Sequence, residues 1–532
     1  MATKKAAKSS KAPPQPQTTT QQLGSLIKSA RDIMRKDKGL STDIDRLPLL
    51  TWVMFLKFLD DLEQTEESKA KMRGEKYKSA IEAPYRWRDW AAKEDGVTGP
   101  ELLAFINQDE AMRPDGKRGT GLLSHLRGLQ GNPETTAGRR RRVVATVFKD
   151  ITCRMISGYL LRDVVNKVNG IQFLAKEELF TLGTLYETML REMRDAAGDS
   201  GEFYTPRAVV RFMVTVTDPK IGETVLDPAC GTGGFLVETY QHIEKQCKTV
   251  QDRKALQERT LLGGEAKPLP FLLCQMNLLL HGLETPQVDP ENSLRFKLTE
   301  LGDKDRVDVV LTNPPFGGEE EAGIKGNFPG DMQTAETALL FLQLIMRRLR
   351  RPGHGSSQGG RAAVVVPNGT LFGDGVCARV KELLLKEYNL HTVVRLPNGV
   401  FAPYTPIPTN LLFFDRSGPT TEIWYYEIPP PEGRKNYSKT QPMPFEDFGE
   451  CITWWAKRSE NDRAWKVPVK DVLKYDSAAQ LLTANLDVKN PNAGEALEHL
   501  PPEQLVEDIL KKERRIIEIM EDIMRQLAEG TP

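Results

Sequence analysis

Asp308-Val309-Val310-Leu311-Thr312-Asn313-Pro314-Pro315-Phe316 is a short apolar run that ends in an amide side chain and two prolines. The run is rich in β-branched residues and sharply bounded, as a buried strand should be. Proline fixes φ and carries no N–H, so Pro314-Pro315 ends the strand and keeps its carbonyls out of any ladder. A strand that delivers Asn313 and a rigid turn to its carboxyl end places them where open α/β sheets bind their ligands.

Upstream, Val225 to Phe235 (VLDPACGTGGF) follows the same plan, an apolar strand ending in a carboxylate and entering a glycine-rich turn. Glycine supplies the left-handed backbone and missing Cβ that a tight turn against a ligand needs. Asp227, Ala229, Gly231, Thr232, Gly233 and Gly234 are therefore candidate binding residues. The spacing departs from the dinucleotide fingerprint G-x-G-x-x-G/A, because Leu236 stands at the third small position. No pyrophosphate turn is expected. An acidic strand end suits a cationic, zwitterionic ligand, and S-adenosyl-L-methionine offers both a sulfonium and an ammonium for Asp227 to face.

Leu261 to Glu265 (LLGGE) reads as another strand ending in a carboxylate, with Glu265 placed to accept ribose hydroxyls. Glu265 lies further past Asp227 than the ~20 residues of a compact βαβ unit, and the charged stretch Lys248 to Arg259 accounts for the gap as an extra helix. In Glu291-Asn292-Ser293-Leu294, Asn292 is a candidate contact to an adenine ring, with a plain turn as the alternative. Tyr204, Thr205 and Pro206 precede a helix that Thr205 is expected to cap, with Pro206 in its first position. A helix N-terminus also receives a carboxylate well, which adds these three to the candidate set.

The Asn313-Pro314-Pro315-Phe316 turn fits chemistry on an exocyclic amine, whose lone pair is delocalised into its ring. The Asn313 oxygen and the Pro314 carbonyl can each accept one amine hydrogen and aim the lone pair, so rate comes from placement and electrostatics. Pro315 stiffens the turn. Phe316 offers a face to an extruded base, a stack worth ~1–3 kcal/mol. Attack at carbon-5 of cytosine needs a cysteine nucleophile, commonly after proline, and no Pro-Cys dipeptide occurs.

Around these motifs, strand-like runs (TVLD, LLGGE, DVVLTN, RAAVVVPN, HTVVRLPNGVF, TNLLFFD) alternate with helical patterns. This predicts an α/β, Rossmann-like domain over 191–425 with a mostly parallel sheet. Residues 23–190 carry helical periodicity without strand alternation and predict an all-helical domain, with Trp52 to Leu59 as its core and Trp87 and Trp90 packed inside. Arg139 to Arg142 reads as a solvated helix start, with phosphate contact as the alternative. Residues 1–22 lack large apolar side chains and predict a flexible tail; 426–500 reads as an irregular extension and linker. Residues 501–532 predict a helix with near-heptad apolar spacing, suited to packing on a partner.

The chain has 532 residues, enough for about three domains. It contains 73 basic and 73 acidic residues, whereas a free-standing DNA binder carries a basic surplus. If DNA is the substrate, another subunit supplies much of the grip. The six cysteines form no C-x-x-C pair, so neither a metal site nor a disulfide framework is expected. No apolar run approaches a membrane span and no leader pattern opens the chain, so a cytoplasmic location is expected.

The order FYTP, DPACGTGGF, NPPF resembles the gamma arrangement of adenine-N6 DNA methyltransferases. Trp52 to Glu63, Glu336 to Arg347, Gly360 to Phe372, Pro397 to Phe401, Thr409 to Phe413 and Leu486 to Asn490 extend the resemblance to the modification (methylation) subunits of type I restriction-modification systems. The resemblance implies methyl transfer from S-adenosyl-L-methionine to adenine N6 in double-stranded DNA. It also implies a separate specificity subunit that reads the site, a second copy of the methylation subunit, and a restriction subunit. N-P-P-[FY] turns also resemble guanine-N2 RNA and release-factor glutamine methyltransferases, which are compact and lack the long helical domain. A non-catalytic scaffold is the remaining alternative.

Overall fold

The computed structural model of the chain describes residues 19–132, 134–171, 173, 183, 186, 187, 205–353, 359–402, 405, 407–492, and 510, 513, 514, 516, 517, 520, 521 and 525. Nine strands form one sheet: β1 Val225–Asp227, β2 Leu261–Gly264, β3 Gln287–Asp289, β4 Val309–Thr312, β5 Arg361–Pro367, β6 Asn389–Arg395, β7 Thr409–Asp415, β8 Glu422–Glu427 and β9 Ala464–Pro468. Their spatial order is β9-β8-β6-β7-β5-β4-β1-β2-β3. Strands β3, β2, β1, β4 and β5 run parallel. β7 enters antiparallel between β5 and β6, and β9 closes the far edge antiparallel to β8.

The sheet is covered on both faces, which is why its central strands read as continuous apolar runs. All four residues of β4 are buried. Val309 and Leu311 point into one core and Val310 into the other, the period of two expected of a strand. On the first face lie α5 (Arg207–Thr217) and α6 (Gly234–Glu244), through Val209, Phe212 and Met213 and through Phe235, Leu236 and Tyr240. On the second lies α8 (Thr337–Arg348), through Leu342, Ile345 and Met346. The chain starts in the middle of the sheet at β1, with β2 on one side and β4 on the other. The crevice at their carboxyl ends is the topological switch point of this sheet.

The N-terminal region is built on α1 (Thr19–Met34), α2 (Asp43–Met72), α3 (Thr136–Phe148) and α4 (Gly158–Asn169). Trp52 and Phe55 meet Phe148 edge-on, with ring centroids 6.2 and 5.9 Å apart. Trp87 and Trp90 are core residues, as expected. The helix α7 (Pro268–Leu280) is buried on every side and mostly apolar, with Gln275 and Asn277 as its buried polar residues. Its Phe271, Leu272, Met276 and Leu280 join the helical core while Cys274 and Leu278 join the sheet core. The two regions thus share one helix as common packing.

Several expectations are corrected. The N-terminal domain is not wholly helical: Glu110–Met112 and Arg118–Thr120 form a hairpin, whose three-residue strands are too short to show alternation. Helix α1 begins at Thr19, inside the stretch expected to be a tail, because Leu23, Ile27, Ala30 and Met34 anchor a helix whose polar first turn extends past them. The stretch 426–500 is not an irregular extension alone. β8 crosses its boundary, β9 adds the sheet edge with Trp465 and Val467 inward and Lys466 outward, and Leu473–Tyr475 pairs with Leu481–Ala484. The rest of the expected tail, Tyr204, and most of the C-terminal helix lie outside the described residues.

Arg139 to Arg141 are neither a solvated helix start nor free for phosphates. Arg139 pairs with Glu258 at 3.1 Å and Arg140 with Glu284 at 3.1 Å, both across to the sheet domain, and Arg141 pairs with Glu82. Arg142 is exposed.

Candidate active site

At the switch point a cavity of about 300 Å³ is lined by residues from every element that converges there. Of the residues expected from sequence, Thr205, Asp227, Ala229, Gly231, Thr232, Gly234, Glu265, Asn292, Asn313 and Pro315 line it. Gly233, Pro206, Pro314 and Phe316 are chain neighbours of lining residues and are not part of the lining.

Asp227 ends β1 fully buried, with its Oδ1 accepting the Ala229 N–H at 3.2 Å. Burial pushes its carboxyl up to about 7, and the nearby Glu265 charge adds to this. The Thr312 hydroxyl and the Ala229 N–H pull the other way. Glu265 follows β2 and accepts the Gly231 N–H at 3.1 Å and the Lys267 N–H at 2.7 Å. Burial raises its pKa as well, against those two hydrogen bonds and the Lys267 charge. The backbone therefore holds both carboxylates in place, while desolvation leaves them short of positive charge.

The glycine turn is required by protein neighbours. Gly233 has φ +81°, and a Cβ there would stand 2.8 Å from Cys274 Sγ on α7. A Cβ on Gly234 would stand 2.9 Å from an Arg207 guanidinium nitrogen, which donates to the Gly234 carbonyl at 3.0 Å. The turn is thereby fastened to α5, α6 and α7 together.

Asn292 is the N-cap of a single 3₁₀ turn, its Oδ1 accepting the Leu294 N–H at 2.9 Å. Its Nδ2 donates to Glu320 at 3.2 Å. The turn reading thus holds for its oxygen, while the side chain still borders the cavity.

The expectation for Thr205 and Pro206 shifts by one residue. Pro206 is the N-cap of α5, its carbonyl accepting from Val209 and Val210, and Arg207 is the first helical residue. Thr205 does not cap; its hydroxyl accepts the Asn313 Nδ2–H at 3.1 Å. The Asn313 Oδ1 is buried with no hydrogen-bond partner among the described residues. Pro314 is buried behind it, and Phe316 stands edge-on to Phe401 with centroids 5.9 Å apart.

The sequence reading missed Arg207, Ser293, Thr337 and Phe341. Ser293 donates to the Pro228 carbonyl at 2.7 Å and tethers the Asn292 turn to the end of β1. Phe341 sits on α8 and borders the cavity from the second sheet face. Their helical and turn contexts resemble ordinary core and capping positions, which leaves no local signal of a site.

The N-6 DNA Methylase family model matches residues 178–493, and the HsdM N-terminal domain model matches residues 23–168. The Escherichia coli type I restriction enzyme EcoEI methylase subunit is 47% identical over 91% of this chain and 94% of its own length. A solved modification subunit from Vibrio vulnificus YJ016 is 69% identical, with a TM-score of 0.83 over 92% of this chain and all of its own. A chain from a structure of type I R-M system assembly is 40% identical, with a TM-score of 0.74 over 97% of this chain. The chain therefore belongs to the N-6 DNA methylase family, among the methylase subunits of type I restriction enzymes.

Proposed function

We propose that the cavity holds S-adenosyl-L-methionine between Asp227 and Glu265, and that Asn313 receives the amino group of an adenine extruded from double-stranded DNA. The overall activity follows from the family: an adenine-specific DNA methyltransferase acting at N6 within a type I system. The observation that carries the residue assignment is the buried, unpartnered Asn313 Oδ1, held at the cavity by Thr205.

The residues present fit this cofactor. Burial raises the pKa of both carboxyls, against the Lys267 charge at Glu265 and against hydrogen bonds alone at Asp227, and a ligand bearing an ammonium and a sulfonium adds positive charge. Asp227, with Gly231, Thr232 and Gly234, would hold the amino acid end. Glu265 would hold the ribose hydroxyls and Asn292 would border the adenine ring. When bound, the cofactor supplies an electrophilic methyl group. Asn313 Oδ1 accepts one hydrogen of the target amine, the Pro314 carbonyl accepts the other, and the lone pair is turned out of the ring plane. Pro315 keeps the turn rigid, and Phe316, braced by Phe401, gives the base a ring to rest against.

The neutral charge balance and type I membership support a division of labour in which a specificity subunit reads the DNA. In this reading a second copy of the chain and a restriction subunit complete the assembly. Leu510, Ile516, Ile517 and Met520 are exposed helical residues suited to docking on the specificity subunit. No helix among the described residues is long and apolar enough to cross a membrane, in keeping with work on DNA in the cytoplasm.

Nucleoside mass spectrometry tests the reading on DNA from cells that co-express the chain and its specificity partner. N6-methyladenine that depends on both Asn313 and the partner is the expected result. Cofactor binding without any new methyl mark on DNA would redirect the search to RNA or protein amines.

A further inference from the structure

A second cavity, of about 690 Å³, lies between α3 of the helical domain and the β3 edge of the sheet. It shares only Pro228 and Ser293 with the cofactor cavity, and these two are joined by the 2.7 Å bond from Ser293 to the Pro228 carbonyl. That bonded pair is a wall between two chambers. The volume is that of a small-molecule site.

Its polar lining is unfinished in a consistent way. The Arg348 side chain, at the end of α8, makes no hydrogen bond or ion pair among the described residues, and its Nε is buried without a partner there. Burial lowers its pKa, with Asp289 and Asp305 too distant to form ion pairs with it. The exposed Arg142 side chain, on α3 at the opposite wall, likewise has no partner among the described residues. Gln275 of α7 is 1% exposed and its Oε1 has no hydrogen-bond partner. Arg348 is half-buried with an unpaired Nε, and that nitrogen and the unsatisfied Gln275 amide oxygen are each costly to leave open. Such groups persist in folded proteins mostly where a ligand or water completes them.

From this we infer that the second cavity is a binding site for a mononucleotide, its phosphate held by Arg348 and Arg142 and its base edge read by the Gln275 amide. Guanidinium groups pair with phosphate through forked hydrogen bonds. A carboxamide offers one donor and one acceptor on a single edge, which matches a nucleobase. Duplex DNA is the wrong occupant, because Gln275 lines the cavity from a buried helix, out of reach of a base that is still paired.

Equilibrium dialysis of the full chain against labelled AMP, GMP, CMP and UMP tests this, with inorganic phosphate as competitor. Saturable binding of at least one nucleotide, displaced by phosphate, is the expected result. Arg348→Gln should weaken it roughly ten- to hundredfold, as for loss of a charged hydrogen bond. Arg142→Ala, on the exposed rim, should weaken it about two- to fivefold. Because Arg348→Gln removes an uncompensated charge, the ligand-free variant should melt no lower than the parent. Absence of saturable binding, binding that survives both substitutions, or a marked fall in the melting temperature of Arg348→Gln would each overturn the site.

Discussion

The ends of β1 and β2 and the end of β4 face one cavity, but they are finished in opposite ways. Asp227 and Glu265 accept backbone N–H groups from Ala229, Gly231 and Lys267, so the cofactor half is set by the chain itself. Asn313 is anchored on one side only, through Thr205, and its oxygen is left buried without a partner. A buried acceptor left open costs ~1–3 kcal/mol. On the proposed function, the difference separates a preformed binding half from a catalytic half whose hydrogen bonding the substrate would complete.

Removing the open acceptor should have the largest effect. Asn313→Ala is expected to lower kcat about 10²–10³-fold, the scale of one lost stabilising group. Cofactor affinity, measured by calorimetry, should stay within about twofold. Equal losses in turnover and in cofactor affinity would mean that the two halves are not separate.

The binding half should reveal itself through pH. Asp227, pushed up to about 7 by burial, is protonated below that pH in the free enzyme. A cationic ligand requires the ionised form, so binding releases a proton in that range. Cofactor affinity should be full above pH 7 and fall about tenfold per unit as the pH drops toward about 5. Asp227→Asn should flatten this profile at a lower affinity, whereas Asn313→Ala should leave its shape intact. A pH-independent affinity in the parent enzyme would remove Asp227 as the cation's partner.

The turn that carries the binding half is tight enough to measure as stability. Gly233→Ala places a Cβ at φ +81° and 2.8 Å from Cys274 Sγ. It should cost about 1–3 kcal/mol in a denaturant titration. Gly317→Ala, on the catalytic half where a Cβ meets nothing within 4 Å, should cost far less. Equal costs would deny that the glycine turn is the more constrained of the two.

The same asymmetry governs what could be read in advance. Strands β1, β2, β4, β5 and β7 were legible because burial on both faces makes them continuous apolar runs with sharp ends, and their ends carried Asp227, Glu265 and Asn313. β3 and β9 were not. The first has only three residues, and the second lies among prolines, tryptophans and charges with its inward pattern confined to Trp465 and Val467. The shared role of α7 was also hidden: a helix so largely apolar reveals that it is buried but not which cores it joins. Lys248 to Arg259 was legible as a helix from charge alone, yet its continuation into a π turn at Leu256–Thr260 leaves no periodic trace. Thr205 was misread because Thr-Pro before a helix has a local explanation in capping, and its true partner is distant in sequence.

That residue sets the smallest test. If Thr205 holds Asn313, Thr205→Val keeps the shape, removes one hydrogen bond of about 0.5–1.5 kcal/mol, and should lower kcat about three- to tenfold. The Asn313 amide would then turn freely, so kcat should fall beside a stability loss no larger than that bond, with cofactor affinity unchanged. A capping role predicts a different pattern, a stability loss of about 0.5–2 kcal/mol with kcat preserved in the folded enzyme. Thr205→Ser separates them further, because a serine hydroxyl still accepts the Asn313 hydrogen and should restore most of the turnover. Loss of stability without loss of turnover in Thr205→Val would return Thr205 to the helix and leave Asn313 to be positioned by the proline turn alone.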